Sequence, residues 1–551
     1  MKYILLPIVF LVNFTTAQAQ TRQDSIRLVR DALGFYDLSF TDNEIDSMLA
    51  NLEGNRRLYK RMHERFPAND LANTLVFNPV PFGMKIPTKR TRINWDIPPN
   101  IELPANRNDL AWYSIPQLAS LIINNKISSV ELTRFYIDRL KKWGDTLQCV
   151  ISFTEDIAMK QARQMDKELA DGYYRGPLHG IPYGLKDLFA VKGTKTTWGT
   201  TPYKDQVIDE DSYVYLALKG AGAVLCAKLS LGSLAYDNKW FGGATKNPWN
   251  LNQGSSGSSA GSAAATSAGL LPFAIGTETW GSIVSPSTRC GVTGLRPTFG
   301  SVSRSGGMVL SWSLDKVGPI CRSAEDAAMV FAAINGSDDK DPGAIRHAFN
   351  YTGKIEDWKK LRIAYAENYF KNLPQDANEW KVIEMYRSLG ADVQPVQFPD
   401  STIYPFNIMG VVIGAESAAA FDELTRTNRD DLIERQDRAF WPNSFRVGRT
   451  IPAVEYINAN RYRSLLCRNM NEFMRNYDAV IVPSFGGNQL AMTNLTGHPV
   501  VCMPAGFNKN GAPMSITLVG NLFDEAMILS VAKAFQQNTD HHKKHPPKFI
   551  E

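Results

Sequence analysis

From Gly254 the chain reads GSSGSSAGSAAATSAG and then, without a break, LLPFAI at 270–275. Few segments restrict a fold more. A run of Gly, Ser and Ala on its own behaves as a flexible linker, but a linker does not feed directly into a stretch of buried-strand character. Small residues on both sides of an apolar segment mark backbone brought close to another group, because only Gly, Ala and Ser leave room for that approach. A second small-residue turn, TETWGS, follows at 277–282, and GIPYGLKDLF stands upstream at 180–189.

Around these segments, helical patterns alternate with short apolar runs. Ser128-Ser129-Val130-Glu131 is a capping box, in which the serine and the glutamate each satisfy a free N–H at a helix start. It leads into Leu132, Phe135, Tyr136, Ile137 and Leu140 at helical spacing. A further helix is expected near Asp156–Ala170, and strands at 222–227 and 479–483. The alternation predicts an α/β fold, with a sheet covered by helices. Upstream, Thr41-Asp42-Asn43-Glu44 is another capping box, followed by the stripe Ile45, Met48, Leu49, Leu52. Residues 67–108 are rich in Pro and Asn but hold Leu75, Phe77, Ile93 and Trp95, which favours an extended segment wrapped on the core over a mobile linker.

The 551 residues carry 60 basic and 55 acidic side chains, a net charge of +5. That balance is mild and shows no basic face of the kind nucleic acid requires. Met1-Lys2, the apolar run Ile4–Val12 and the small-residue pattern Ala17-Gln18-Ala19 have the form of a secretory signal peptide. The apolar run is too short to span a bilayer, and no Cys follows it to take a lipid. The expectation is a mature chain starting near Gln20, periplasmic or secreted, with no stable membrane anchor. The organisation read from the sequence is therefore a signal peptide at 1–19, an extension at 20–110, a main domain at 111–540 and a solvated basic tail at 541–551. Six scattered cysteines without a CxxC pair argue against zinc. Buried free thiols are the default, and one disulfide stays open in an oxidising compartment.

In order and spacing, these segments resemble the amidase signature family. Its pattern is a Lys in a GIP-x-G-x-KD segment, a first Ser in a GSS-G-like run and a second Ser in a GT-[DE]-x-x-GS-I turn. Here these are Lys186, Ser258 and Ser282, the two serines 24 positions apart. GVTGLRPTFGSVSRSG (291–306), LDKVGPICRSAEDA (314–327) and NLTGHPVVCMPAGF (494–507) extend the resemblance over roughly residues 110–540. It implies a single large mixed, twisted sheet flanked by helices on both sides, and amide hydrolysis without metal or organic cofactor.

What the resemblance implies for the site is a Lys–Ser–Ser relay. Ser282 is the nucleophile, Ser258 the bridge after a cis peptide bond, and Lys186 the base, kept neutral by burial. Backbone N–H groups of Thr279, Trp280, Gly281 and Ser282 would hold the oxyanion. Taken singly, each residue has a plainer reading: Lys186 and Asp187 as an ion pair, Ser258 as a turn residue, Ser282 as a helix cap. His179 and His498 read as structural, and Asp315 as a partner of Arg296 or Lys316. Trp280 stands where Gly is usual, and Val284 where many members carry Arg; GSIV is similar to peptide-amidase-like members. The expected function is an exported amidase acting on a small-molecule or peptide amide. The alternatives are the glutamine-hydrolysing component of a tRNA-dependent amidotransferase and a non-catalytic binding protein on the same fold. Monomer and homodimer are both open. Tyr404, Phe406, Phe421, Phe440, Trp441 and Phe445 are expected either to line the pocket or to pack the core.

Overall fold

The computed structural model describes residues 21–64, 66–399 and 408–550. The signal-peptide expectation, Tyr404 and Phe406 lie outside them. The chain divides into two compact units, Met1–Pro67 and Ala68–Glu551. In the first, α1 (Arg22–Gly34) and α2 (Asp42–Met62) each begin with a capping box, on Thr21 and Asp24 and on Thr41 and Glu44. Ile26 and Ile45 are its buried apolar side chains among the described residues, and Arg22 pairs with Asp46 across the two helices.

The second unit is built on an eleven-stranded mixed sheet. Its strands are β1 (Val150–Phe153), β2 (Pro182–Lys186), β3 (Val224–Leu229), β4 (Phe273–Glu278), β5 (Thr293–Arg296), β6 (Lys316–Cys321), β7 (Ile363–Ala366), β8 (Val393–Val396), β9 (Ala479–Pro483), β10 (Val500–Phe507) and β11 (Pro513–Val519). Their spatial order is β1-β3-β2-β4-β6-β5-β10-β11-β9-β7-β8. β2 is parallel to β3 and β4, whereas β4, β6, β5, β10 and β11 run antiparallel to their successive neighbours. Strands β2 and β3 are buried along their whole length, as expected for strands covered on both faces.

The Gly/Ser/Ala run is core, not linker. Ala260–Ser267 forms a helix whose every residue is buried. Its small side chains let the helix lie close on β4, where Ser262 Oγ donates to the Ile275 carbonyl at 2.9 Å. Ser128 and Glu131 cap the helix Ser129–Leu147 as the sequence predicts.

Two boundaries differ from the expectation. Residues 68–110 belong with the large unit rather than with the helices before them. Asn69 exchanges hydrogen bonds with the backbone of Val309, and the Pro87 carbonyl accepts from Ala348 N–H at 2.6 Å. Ile93, Trp95, Ile101 and Leu103 pack on the core, so the wrapping reading of this segment holds. The lysines of the basic tail, Lys543, Lys544 and Lys548, are exposed as expected of a solvated end, but the chain beyond them is seated. Phe549 is fully buried against Trp143, and its carbonyl accepts from Arg139 at 2.8 Å. Composition marked the tail as polar, but His545 also packs on Trp112 with ring centroids 4.1 Å apart. Five of the six cysteines are buried and Cys467 is half-buried, all as free thiols.

Candidate active site

Lys186 closes β2, and the alternation of a strand sends successive side chains to opposite faces. Lys186 and Asp187 consequently do not pair. The Asp187 carboxylate meets Lys228 at 2.7 Å and accepts from Thr197 N–H at 2.9 Å. Lys186 Nζ instead lies within hydrogen-bond distance of three hydroxyls, Ser258 Oγ at 2.8 Å, Ser259 Oγ at 3.1 Å and Thr277 Oγ1 at 2.8 Å. Three neutral hydroxyls surround a fully buried amine. Desolvation disfavours the charged form and brings Lys186 down from 10.5 to about 7, against the pull of the Asp315 and Glu278 carboxylates. Ser259 cannot itself give a proton to the lysine, because its hydroxyl donates to the Thr277 carbonyl at 3.0 Å.

Ser258 follows a cis peptide bond with Gly257. The glycine is required by space: a Cβ there would stand 1.8 Å from the Asp237 carbonyl oxygen. Ser282 reaches the same place from the other side. Its carbonyl accepts from Ser259 N–H at 3.2 Å, and Ser256 Oγ meets Ser285 Oγ at 2.7 Å, so the two serine segments are laced together. Each then enters a helix, Ala260–Ser267 and Val284–Cys290. Ser282 is half-buried. Among the described residues its hydroxyl has no hydrogen-bond partner, Ser258 included; catalytic contacts are commonly loose before substrate arrives.

The turn between β4 and the second helix is held by Glu278. Its Oε2 accepts from Ile283 and Val284 N–H at 2.8 and 2.9 Å, and its Oε1 from Arg296 and Asn494, each at 2.9 Å. Burial alone would raise this carboxyl, but Arg296 and the surrounding N–H donors offset it and hold it below its ordinary value. The N–H groups of Trp280, Gly281 and Ser282, by contrast, are spent on no acceptor among the described residues. Gly281 has φ +97°, a region side chains rarely adopt, in nearly open space. Trp280 projects from the turn at 50% exposure, and Thr279 Oγ1 donates to Asp315 at 2.6 Å.

The structure corrects the expectation for Asp315. Its carboxylate takes Thr279 and the N–H groups of Leu310 and Ser311, while Arg296 goes to Glu278. His179 is locked by the Met165 carbonyl on Nε2 and Arg175 N–H on Nδ1, which makes Nε2 the protonated nitrogen. Burial depresses His498 to about 3, and what it contributes to the turn is its carbonyl, which accepts from Arg296 at 2.6 Å. Phe421, Phe440, Trp441 and Phe445 are buried, with Trp441 stacked on Phe445 at 5.1 Å and Phe421 on Phe445 at 5.3 Å. They form core rather than a pocket wall. Thr277, Ser259, Glu278 and Asn494 were missed as site residues. Glu278 was the most accessible of them, since it occupies the acidic position of the GT-[DE] turn.

A strand-end lysine ringed by hydroxyls stands beside a serine turn of unspent N–H groups, the arrangement that the amidase signature resemblance implies. The Amidase family model matches residues 131–492, and the chain belongs to the amidase signature family. It is accordingly an enzyme of the amide C–N hydrolase class. The A component of the glutamyl-tRNA(Gln) amidotransferase of Coxiella burnetii is 33% identical over 479 residues, covering 79% of this chain and 99% of that one. The peptide amidase of Stenotrophomonas maltophilia superposes with TM-score 0.70 at 28% identity, over 79% of this chain and 98% of the other. A chain from a vestigial complex bearing on the origins of an s-triazine catabolic enzyme gives 0.71 at 26% identity, over 77% and 98%.

Proposed function

We propose that this amidase acts by itself on a carboxylic or peptide amide, through an acyl-enzyme on Ser282. The observation that carries the reading is the hydrogen bond between Lys186 and Ser258, made by a buried amine with no carboxylate in contact. A neutral lysine has two N–H groups and one lone pair. With Ser259 committed as an acceptor, the N–H groups serve Ser259 and Thr277, and the lone pair faces the Ser258 hydroxyl. Ser282 Oγ attacks the amide carbon as its proton passes to Ser258 and that of Ser258 to Lys186. The oxyanion meets the N–H groups of the 279–282 turn, where one donor is worth roughly 2.7–4 kcal/mol. The C–N bond breaks with the proton returned to the departing nitrogen. Water then attacks the ester along the same relay and frees the acid.

The test is intact mass after exposure to a fluorophosphonate probe. Single-site labelling that is lost in Ser282→Ala and strongly slowed in Lys186→Ala is expected. Labelling that survives Ser282→Ala would refute the assignment. Residues 1–19 support export; N-terminal sequencing of the mature protein from a periplasmic fraction should begin near Gln20, and an intact Met1 in the cytoplasm would refute it. A second reading, glutamine hydrolysis within an amidotransferase, draws on the end-to-end match to the Coxiella protein. Turnover of free glutamine, with none of peptide or aryl amides, would favour it.

A further inference from the structure

Residues 232–238 form the bed on which the Gly257–Ser258 peptide rests. The Asp237 carbonyl lies directly against Gly257, and Gly232 N–H donates to the Ser258 carbonyl at 3.3 Å. The bed is an unfavourable piece of chain: Leu234, Ala235 and Asp237 have φ of 48°, 63° and 64°, a left-handed conformation that non-glycine residues rarely adopt. Such a conformation persists where its surroundings over-determine it. Here they come from the aromatic segment that the sequence marked as a candidate pocket wall. Trp441 Nε1 donates to the Ser233 carbonyl at 3.1 Å. Arg435 Nη1 grips the Asp237 carboxylate at 2.6 Å. The other edge of the guanidinium is fixed on Asp437 at 2.8 Å, and its face lies over Phe440 at 4.6 Å.

We propose that Arg435 is a positioning residue for Ser258, acting through Asp237. It touches neither Lys186 nor either catalytic serine. By holding Asp237 it sets where the 237 carbonyl stands, and that carbonyl sets where Gly257 and Ser258 stand relative to Lys186. The pair is partly exposed, at 24% and 33%, and partly exposed ion pairs add little to global stability. Its contribution therefore falls on the geometry of the relay rather than on folding. The inference rests on the Lys–Ser–Ser reading.

The experiment measures the second-order rate of fluorophosphonate labelling and the thermal midpoint of the full-length protein. Arg435→Met and Asp237→Asn, the latter keeping a residue that tolerates left-handed φ, should each slow labelling about 10- to 100-fold, the scale of an ångström-level misplacement. The double variant should be no slower than either single variant, Arg435→Lys should recover part of the rate, and midpoints should stay close to wild type. In a Ser258→Ala background, Arg435→Met should add almost nothing, because there is no bridging hydroxyl left to misplace. An equal loss in that background, no loss in the wild type, or a loss that tracks the thermal midpoint would overturn the assignment. Ser258→Ala labelling at the wild-type rate would instead refute the relay itself, and this inference with it.

Discussion

Acidification should switch the enzyme off by protonating Lys186, and the structure sets where. The proposed relay needs the neutral amine, and burial brings Lys186 from 10.5 to about 7. With that value about half of the enzyme is competent at pH 7, about a tenth at pH 6 and about a hundredth at pH 5. The logarithm of the labelling rate should rise with unit slope to near pH 7 and level off above pH 8. An ordinary lysine would still be climbing tenfold per pH unit at pH 9. The assay is the fluorophosphonate rate constant from pH 5 to 9.5 at constant ionic strength, corrected for probe hydrolysis. A line still rising at pH 9, or one flat from pH 5 to 8, would refute the argument. The same displacement has a stability side. Between about pH 7 and 10.5 the unfolded chain binds a proton that the folded one does not, so stability rises with pH across that window. Below it the full displacement, about 5 kcal/mol, weighs against folding. Lys186→Met should therefore be inactive yet more thermostable than wild type at pH 6, with the gap closing as pH approaches 10. About 5 kcal/mol is an upper bound, since three hydroxyls lose their donor.

Three further outcomes are expected. Glu278→Gln leaves Arg296 charged and fully buried without its counter-ion, which should cost about 3–5 kcal/mol, read from the urea midpoint; an unchanged midpoint would contradict the pairing. Gly257→Ala places a Cβ against the Asp237 carbonyl and should abolish labelling or soluble expression, whereas Gly54→Ala in α2, with open space around it, should be tolerated and add up to about 1 kcal/mol of helix stability. Phe549→Ala empties a fully buried site and should destabilise by about 3–5 kcal/mol, which a tail that stands free in solvent would not show in calorimetry.

Much of the candidate site was legible before the fold. Lys186, Ser258 and the 279–282 turn were singled out because each sits in a segment whose small residues have few other uses, and the ordered spacing of those segments is a property of sequence; the structure brings Lys186 and Ser258 to 2.8 Å. The capping boxes at Thr41 and Ser128 were equally local, since a helix start is decided within four residues. What no local pattern carried is who faces whom. Asp187 follows Lys186 in the chain yet belongs to Lys228, because strand alternation turns it to the other face. Asp315 was read as a partner of Arg296 or Lys316, yet Arg296 belongs to Glu278, because the order of β4, β6 and β5 in the sheet decides that pairing.

The aromatics of 421–445 show the same division. Their composition suits a pocket wall and a core equally, and only their burial and stacking on one another decide for core. The tail at 541–551 reads as a solvated end, and its lysines are exposed, but Phe549 packs on Trp143. Sequence determined which chemical groups are present, and in which short turns they are offered. The tertiary structure decided their partners, because an ion pair, a depressed lysine or a buried ring depends on what arrives across the sheet from far along the chain.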